Sequence, residues 1–295
     1  MIENLFSKKL LIVTGKGGVG KTTVSLALGL MAAERGLRAL VVEVNSEETV
    51  AHLLQRPSIG PQEVELLPNL YGINITPKKS FEEYVLLQIK FKSLYKAVFE
   101  NRFVRYFLEA APGLSDLMCI GKIYSLVDRY DLVIVDAPAT GHGLALLDIA
   151  TIVTRAVRVG PLKTEAQKVA DRLHDPSKTQ VVLVTLPEEM PVTEALEMKA
   201  HLKNKMEMSV GALILNQYQK SPFSVAEEKE LEKFLKDETS LKEKVELLLT
   251  RSRLSQEYKE ELQCDELMTI PFVASSGFGL PEIQSIASAL EEGGE

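Results

Sequence analysis

Short continuous runs of Val, Ile and Leu recur along the chain, at residues 10–13, 39–44, 132–135, 181–185, 212–215 and 267–272, with helical stretches between them. A strand inside a parallel sheet is buried on both faces, so its apolar residues follow one another without the alternation of a half-exposed strand. The pattern predicts an α/β fold: a doubly wound, mostly parallel sheet, with residues 71–76 as a further strand. No internal repeat or low-complexity segment interrupts it.

One stretch breaks the alternation. Residues 80–130 carry only helical patterning between two expected strands and are far longer than one crossover needs. They predict an inserted helical subdomain at about 78–130 within one domain spanning 1–295. Phe81, Phe91, Phe99, Phe103 and Phe107 lie there with Tyr84, Tyr95 and Tyr106, beside Lys90, Lys92, Lys96, Arg102 and Arg105. An aromatic stripe of this kind reads as ordinary helix packing, or as a hydrophobic surface for a client or partner. A second helical block, 224–262, begins with Glu227, Glu228, Lys229, Glu230, Glu232 and Lys233 and reads as a solvated face.

Composition narrows the classes. With 295 residues, 45% of them hydrophobic, the chain has material for a sizeable core. A net charge of -7 without a long basic run argues against a non-specific nucleic-acid binder, and no nucleic-acid partner is expected. Cys119 and Cys264 form no C-x-x-C, so neither zinc nor a disulfide framework is expected. No run of about 18 apolar residues or cleavable leader pattern occurs, and the expected location is the cytoplasm.

The most informative segment follows the first apolar run. Gly15-Lys16-Gly17-Gly18-Val19-Gly20-Lys21-Thr22 joins an expected strand to an expected helix, the context that G-x-x-x-x-G-K-[ST] requires. Glycines let successive N–H groups turn inward on an anion, and the helix N-terminus adds its positive dipole end. Lys21 then reaches the β- and γ-phosphates and the Thr22 hydroxyl ligates Mg²⁺. Gly15, Gly17 and Gly20 also satisfy G-x-G-x-x-G, and Glu43 ends the next strand where a dinucleotide fold places its ribose-binding acid. Lys21 and Thr22 favour ATP with Mg²⁺ over that reading, because a pyrophosphate on a Rossmann turn needs no such pair.

Further on, residues 132–135 run into Asp136, a buried strand ending in an acid. That is the pattern of a carboxylate that holds Mg²⁺ through water at the edge of a parallel sheet.

Two segments carry a family resemblance. Lys16 to Thr23, K-G-G-V-G-K-T-T, resembles the deviant Walker A of the ATPases that include plasmid-partition and division-site proteins, nitrogenase iron protein and the arsenical pump-driving ATPases. Asp136 with Ala137-Pro138-Ala139-Thr140-Gly141-His142-Gly143-Leu144 resembles the D-x-A-P-T-G-H-T-L switch of the arsenical pump-driving and tail-anchored-protein-targeting ATPases. Three weaker segments agree: Pro112-Gly113-Leu114-Ser115-Asp116, the run from Thr185 to Met190 with Thr193 and Glu194, and Leu215-Asn216-Gln217. The resemblance implies a homodimer glued by ATP, with Lys16 reaching the partner's nucleotide. It also implies adenine contacts from Asn216, Gln217, Pro271 and Phe272, with Gly15, Gly17, Gly18, Val19, Gly20, Lys21, Thr22 and Thr23 around the phosphates.

The chain departs from that family in two places. Where the family's first switch carries a water-positioning aspartate, this chain has Asn45, followed by Ser46, Glu47 and Glu48. An amide orients water but is no general base, so hydrolysis is expected to be slow, or to use Glu43 or Glu47. The clustered cysteines of arsenite-responsive members are also absent, so arsenite stimulation is not expected.

The expectation is an ATP-hydrolysing homodimeric switch coupled to a client or membrane-protein partner. Its catalytic candidates are Lys16, Lys21, Asn45 and Asp136, and its metal-site candidates are Thr22 and Asp136. An ATP-binding regulatory or scaffold protein with little hydrolysis is the alternative, and a partition-type ATPase the third.

Overall fold

The computed structural model describes residues 1–46, 49–56, 58–88, 113–234 and 239–293. Its centre is an eight-stranded sheet in the order β3-β4-β2-β5-β1-β6-β7-β8. The strands are β1 (Leu10–Gly15), β2 (Ala39–Val44), β3 (Val64–Leu67), β4 (Leu70–Ile75), β5 (Leu132–Asp136), β6 (Thr179–Thr185), β7 (Val210–Tyr218) and β8 (Leu267–Pro271). All neighbours pair in parallel except β3 with β4.

Every expected strand is present, and β3 is an addition. It is a short antiparallel edge strand joined to β4 through Pro68 and Asn69, with Asn69 in the left-handed region at φ 63°. Asparagine tolerates that conformation, which suits a tight reversal. Only Leu66 of this strand is fully buried, so it lacks the continuous apolar run of the inner strands.

The inner strands divide their side chains between two cores. Leu10, Ile12, Leu40, Val42, Val133 and Val135 face one layer, while Leu11, Val13, Ala39, Val41, Leu132 and Ile134 face the other. The second layer is built around α2 (Lys21–Glu34), whose residues from Val24 to Ala33 are all buried. A helix apolar all round must be covered all round. Here the sheet covers one side and α11 (Leu280–Glu292) packs on α2 from outside. Gly29 makes the close approach work, since a Cβ there would lie 2.8 Å from Val41 Cγ2.

The first layer holds α5 (Leu114–Val127), α6 (Thr140–Ala156), α7 (Pro161–His174) and α8 (Glu189–Asn204). Of the expected helical subdomain, α4 (Pro77–Gln88) and α5 are described. Within that part, Leu117, Ile120, Ile123 and Val127 share the core of the sheet, with Phe81 and Tyr84 packed against it. Lys90, Phe91, Lys92, Tyr95, Lys96, Phe99, Arg102, Phe103, Arg105, Tyr106 and Phe107 lie outside the described residues. The second helical block forms α9 (Val225–Phe234) and α10 (Thr239–Glu261). The short helices α1 (Ile2–Phe6) and α3 (Thr49–Leu53) complete the chain.

The route of the chain fixes where a ligand can sit. From β1 it crosses through α2 to β2, beyond β5; from β5 it returns past β1 to β6. The C-terminal ends of β1 and β5 therefore flank a crevice at the point where the winding reverses, the place at which open α/β sheets bind ligands.

Candidate functional site

The loop leaving β1 is held from below. Gly15 at φ 152° lies so close to β6 that a Cβ would run into the Val184 carbonyl. Val19 is fully buried and pins the middle of the turn. Gly20 at φ 93° is the N-cap of α2, where a Cβ would meet the Asn216 amide. No side chain caps the first turn of α2, so its N–H groups are available to an anion.

Lys21 donates from Nζ to the carbonyl of Lys16 at 2.9 Å, which folds the lysine back over its own loop. Burial lowers its pKa, and the nearby Asp136 carboxylate opposes that shift. Thr22 Oγ1 donates to Asp136 Oδ2 at 2.6 Å. Asp136 ends β5 level with Val13 of β1, and burial pushes its pKa up to about 6 against the Thr22 hydroxyl and Lys21. Glu43, its register partner on β2, adds to the rise. Asp136 Oδ1 is buried without a hydrogen-bond partner. A hydroxyl and a carboxylate together, one of its oxygens unpartnered, fit a hard oxygen-seeking cation, and the residues are suited to Mg²⁺.

The switch-like segment runs from β5 through Ala137, Pro138 and Ala139 into α6. Gly143 belongs to the first turn of α6, where a Cβ would lie 2.7 Å from the Pro138 carbonyl and 2.8 Å from Thr14 Oγ1. Close approach, rather than loop freedom, requires glycine at this position. Gly141 has open space around it and His142 is exposed.

The two carboxylates weighed as substitutes at the first switch differ in what the structure describes. Glu43 is fully buried, and its Oε1 accepts from Ser46 Oγ at 2.8 Å and from the Val50 N–H at 3.1 Å. It ties the segment after β2 to the sheet and is sealed from solvent. Glu47 lies outside the described residues. Asn45 is exposed, at φ 51°, with its N–H bonded to the Ile75 carbonyl.

At the far end of the crevice the expected base-side residues converge. Gly20, Thr23, Asn216, Gln217, Pro271 and Phe272 line one cavity of about 220 Å³. Val273, Phe278 and Ile286 complete its wall. Phe278 escaped the sequence reading, although the glycines flanking it signalled a loop there. Asn216 also acts on the loop: its Nδ2 donates to the Val19 carbonyl at 2.8 Å and its Oδ1 accepts from the Gln217 N–H.

Lys16 turns the other way. Its ammonium pairs with the Glu194 carboxylate on α8. No local motif links two residues 178 positions apart. The link follows from topology, because α8 starts beyond the C-terminal end of β6, which lies beside β1.

This fold and loop define a P-loop nucleotide-binding protein. The profile of the anion-transporting ATPase family matches residues 8–164 and 158–291, and the chain belongs to that family. It is 33% identical over 227 residues to ATPase BagA of Mycobacterium tuberculosis, covering 72% of this chain and 66% of that one. It is 30% identical over 208 residues to the arsenical pump-driving ATPase of Escherichia coli, where 66% of this chain spans 32% of the relative. An ATPase ASNA1 homolog of Cryptosporidium parvum is 24% identical over 302 residues, which cover 89% of this chain and 80% of that protein. Among the described residues no helix is long and apolar enough to cross a membrane, and no group of three or more His, Cys, Asp or Glu could hold a metal ion.

Proposed function

We propose that this chain binds ATP with Mg²⁺ at the β1–β5 crevice, hydrolyses it, and works as a homodimeric switch in the cytoplasm. The observation that carries the reading is the loop itself. Backbone N–H groups, Lys21, Thr22 and Asp136 converge at one point, and Lys16 stands outside them, its side chain directed away from its own phosphate nest.

Each residue has a task. The loop and the uncapped first turn of α2 hold the phosphate oxygens. Lys21 leaves the Lys16 carbonyl and places its charge on the β- and γ-phosphates. Thr22, and Asp136 through water, would hold the metal, which when bound would offset phosphate charge and polarise the γ-phosphoryl group. Lys16 serves the nucleotide of the second subunit. Asn216 keeps the loop in shape while Phe272 and Phe278 flank the base.

Coupling to a hydrophobic client or a membrane-protein partner belongs to the same reading. It draws support from a largely apolar cavity of about 310 Å³ between α4, α5 and α7, walled by Tyr84, Leu117, Met118 and Val169. One observation favours a second reading, an ATP-binding scaffold with little turnover: the switch position holds an amide, Asn45, and the nearby Glu43 is sealed. Single-turnover ATP hydrolysis at several protein concentrations separates the two. A rate that rises with protein concentration supports the dimeric enzyme; stoichiometric binding with no phosphate release supports the scaffold.

A further inference from the structure

We propose that Glu194 is an intrasubunit latch that holds Lys16 back from the dimer seam until a triphosphate competes for it. The inference rests on the dimeric reading above and concerns what sets the threshold for assembly.

The geometry supplies both parts of a latch. Lys21 is anchored on the Lys16 backbone carbonyl, so the phosphate nest is closed by the loop's own groups. The Lys16 side chain departs from that nest and meets Glu194, in the second turn of α8. Loop and helix rise from the C-terminal ends of adjacent strands, so the pair bridges two elements that flank the crevice.

The strength of the pair suits a latch better than a permanent strut. The Lys16 and Glu194 side chains are 29% and 31% exposed, and ion pairs this open to water contribute little, because solvent screens them and two long side chains lose freedom. A contact of that size delays but does not block. A triphosphate in a seam from which water is leaving offers the ammonium more negative charge at lower dielectric, and displaces one carboxylate. While Glu194 stays on the ammonium, it offsets the charge that the partner's phosphates need. It therefore competes with assembly.

The consequence is a direction of effect opposite to that of a structural contact. Neutralising Glu194 removes the counterion of Lys16 in the free subunit, whereas the closed dimer no longer uses that pair. Each latch accounts for up to about fivefold, so the two in a dimer account for up to about 25-fold in the dimer dissociation constant.

The test uses the full chain with Mg²⁺ and a non-hydrolysable ATP analogue. Dimerisation is measured by analytical ultracentrifugation for wild type, Glu194→Gln and Glu194→Ala, and Lys16 acylation in nucleotide-free protein is followed by mass spectrometry. The latch predicts tighter dimers for both variants and faster acylation of Lys16 once the carboxylate no longer shields it. A wild-type dimer whose variants associate equally well or more weakly overturns the latch alone. A wild type that remains monomeric at all nucleotide concentrations overturns the dimeric reading, and the latch with it.

Discussion

The proposed phosphate end of the crevice and its proposed base end are held in opposite ways. At the phosphate end each group is committed before any ligand arrives: Val19 is fully buried, Lys21 rests on the Lys16 carbonyl and Thr22 on Asp136. At the base end the walls are loose. Phe272 and Phe278 remain 49% and 43% exposed, on a loop that follows the outermost strand, β8. An ordered nest exchanges its own contacts for the phosphates and loses little freedom on binding, whereas half-exposed aromatics settle around the ligand and give up part of their gain. Recognition should therefore lie mainly in the triphosphate, with the base adding selectivity.

Removing the charge at the phosphate end is the hardest test of this contrast. Lys21→Ala should lower turnover by about 10²-fold or more, since one preorganised donor to developing charge contributes that much. Steady-state phosphate release at saturating ATP checks it, and a loss under about threefold would show that the nest is not where catalysis is concentrated.

The same preorganisation has a stability cost that can be titrated. Burial raises the Asp136 pKa from 3.8 to about 6, so the folded protein keeps a proton that the unfolded chain has lost. The stabilising protonated form prevails in acid and disappears as pH rises from about 4 through 6. Metal- and nucleotide-free protein should lose up to about 3 kcal/mol across that window. Asp136→Asn should remove this slope and be the more stable form at pH 7, while losing Mg²⁺-dependent ATP binding. Urea unfolding at a series of pH values measures it, and an identical slope in the variant would assign the loss to other groups.

At the base end the effects should be smaller. Phe272→Ala should weaken ATP binding about fivefold, the lower end of what a base gains from an aromatic face, because the ring is half exposed. It should also narrow the difference between the melting-temperature shifts given by ATP and GTP, which reflect ligand linkage. A loss in calorimetric affinity as large as that of Lys21→Ala would erase the distinction between the two ends.

What could be seen in the sequence follows the same division between local and distant. The inner strands were legible because burial on both faces leaves unbroken runs such as residues 132–135. The edge strand β3 was not, because half its side chains face water and its pairing depends on Asn69 at φ 63°. The loop of Lys21, Thr22 and the glycines was legible because its spacing alone sets the turn from β1 into α2. Asp136 was legible from an acid ending a buried strand. The Lys16–Glu194 pair was not, since only the placing of β6 beside β1 brings the two together. Nor was the contact of Asn216 as a strut beneath Val19. Resemblance pointed Asn216 toward the base, and long-range packing added the loop.

The most direct test of the dimeric switch mixes two inactive proteins, Lys16→Ala and Lys21→Ala, and measures ATP hydrolysis across mixing ratios. A mixed dimer has one site whose own Lys21 is intact and whose partner still offers Lys16. If Lys16 acts across the interface, activity should reappear on mixing, peak near equal proportions and not exceed what one competent site per dimer permits. Lys16→Ala alone should still bind nucleotide as a monomer. Lys16→Ala protein that hydrolyses ATP at the wild-type rate and dimerises normally would contradict the central claim and leave Lys16 a surface lysine.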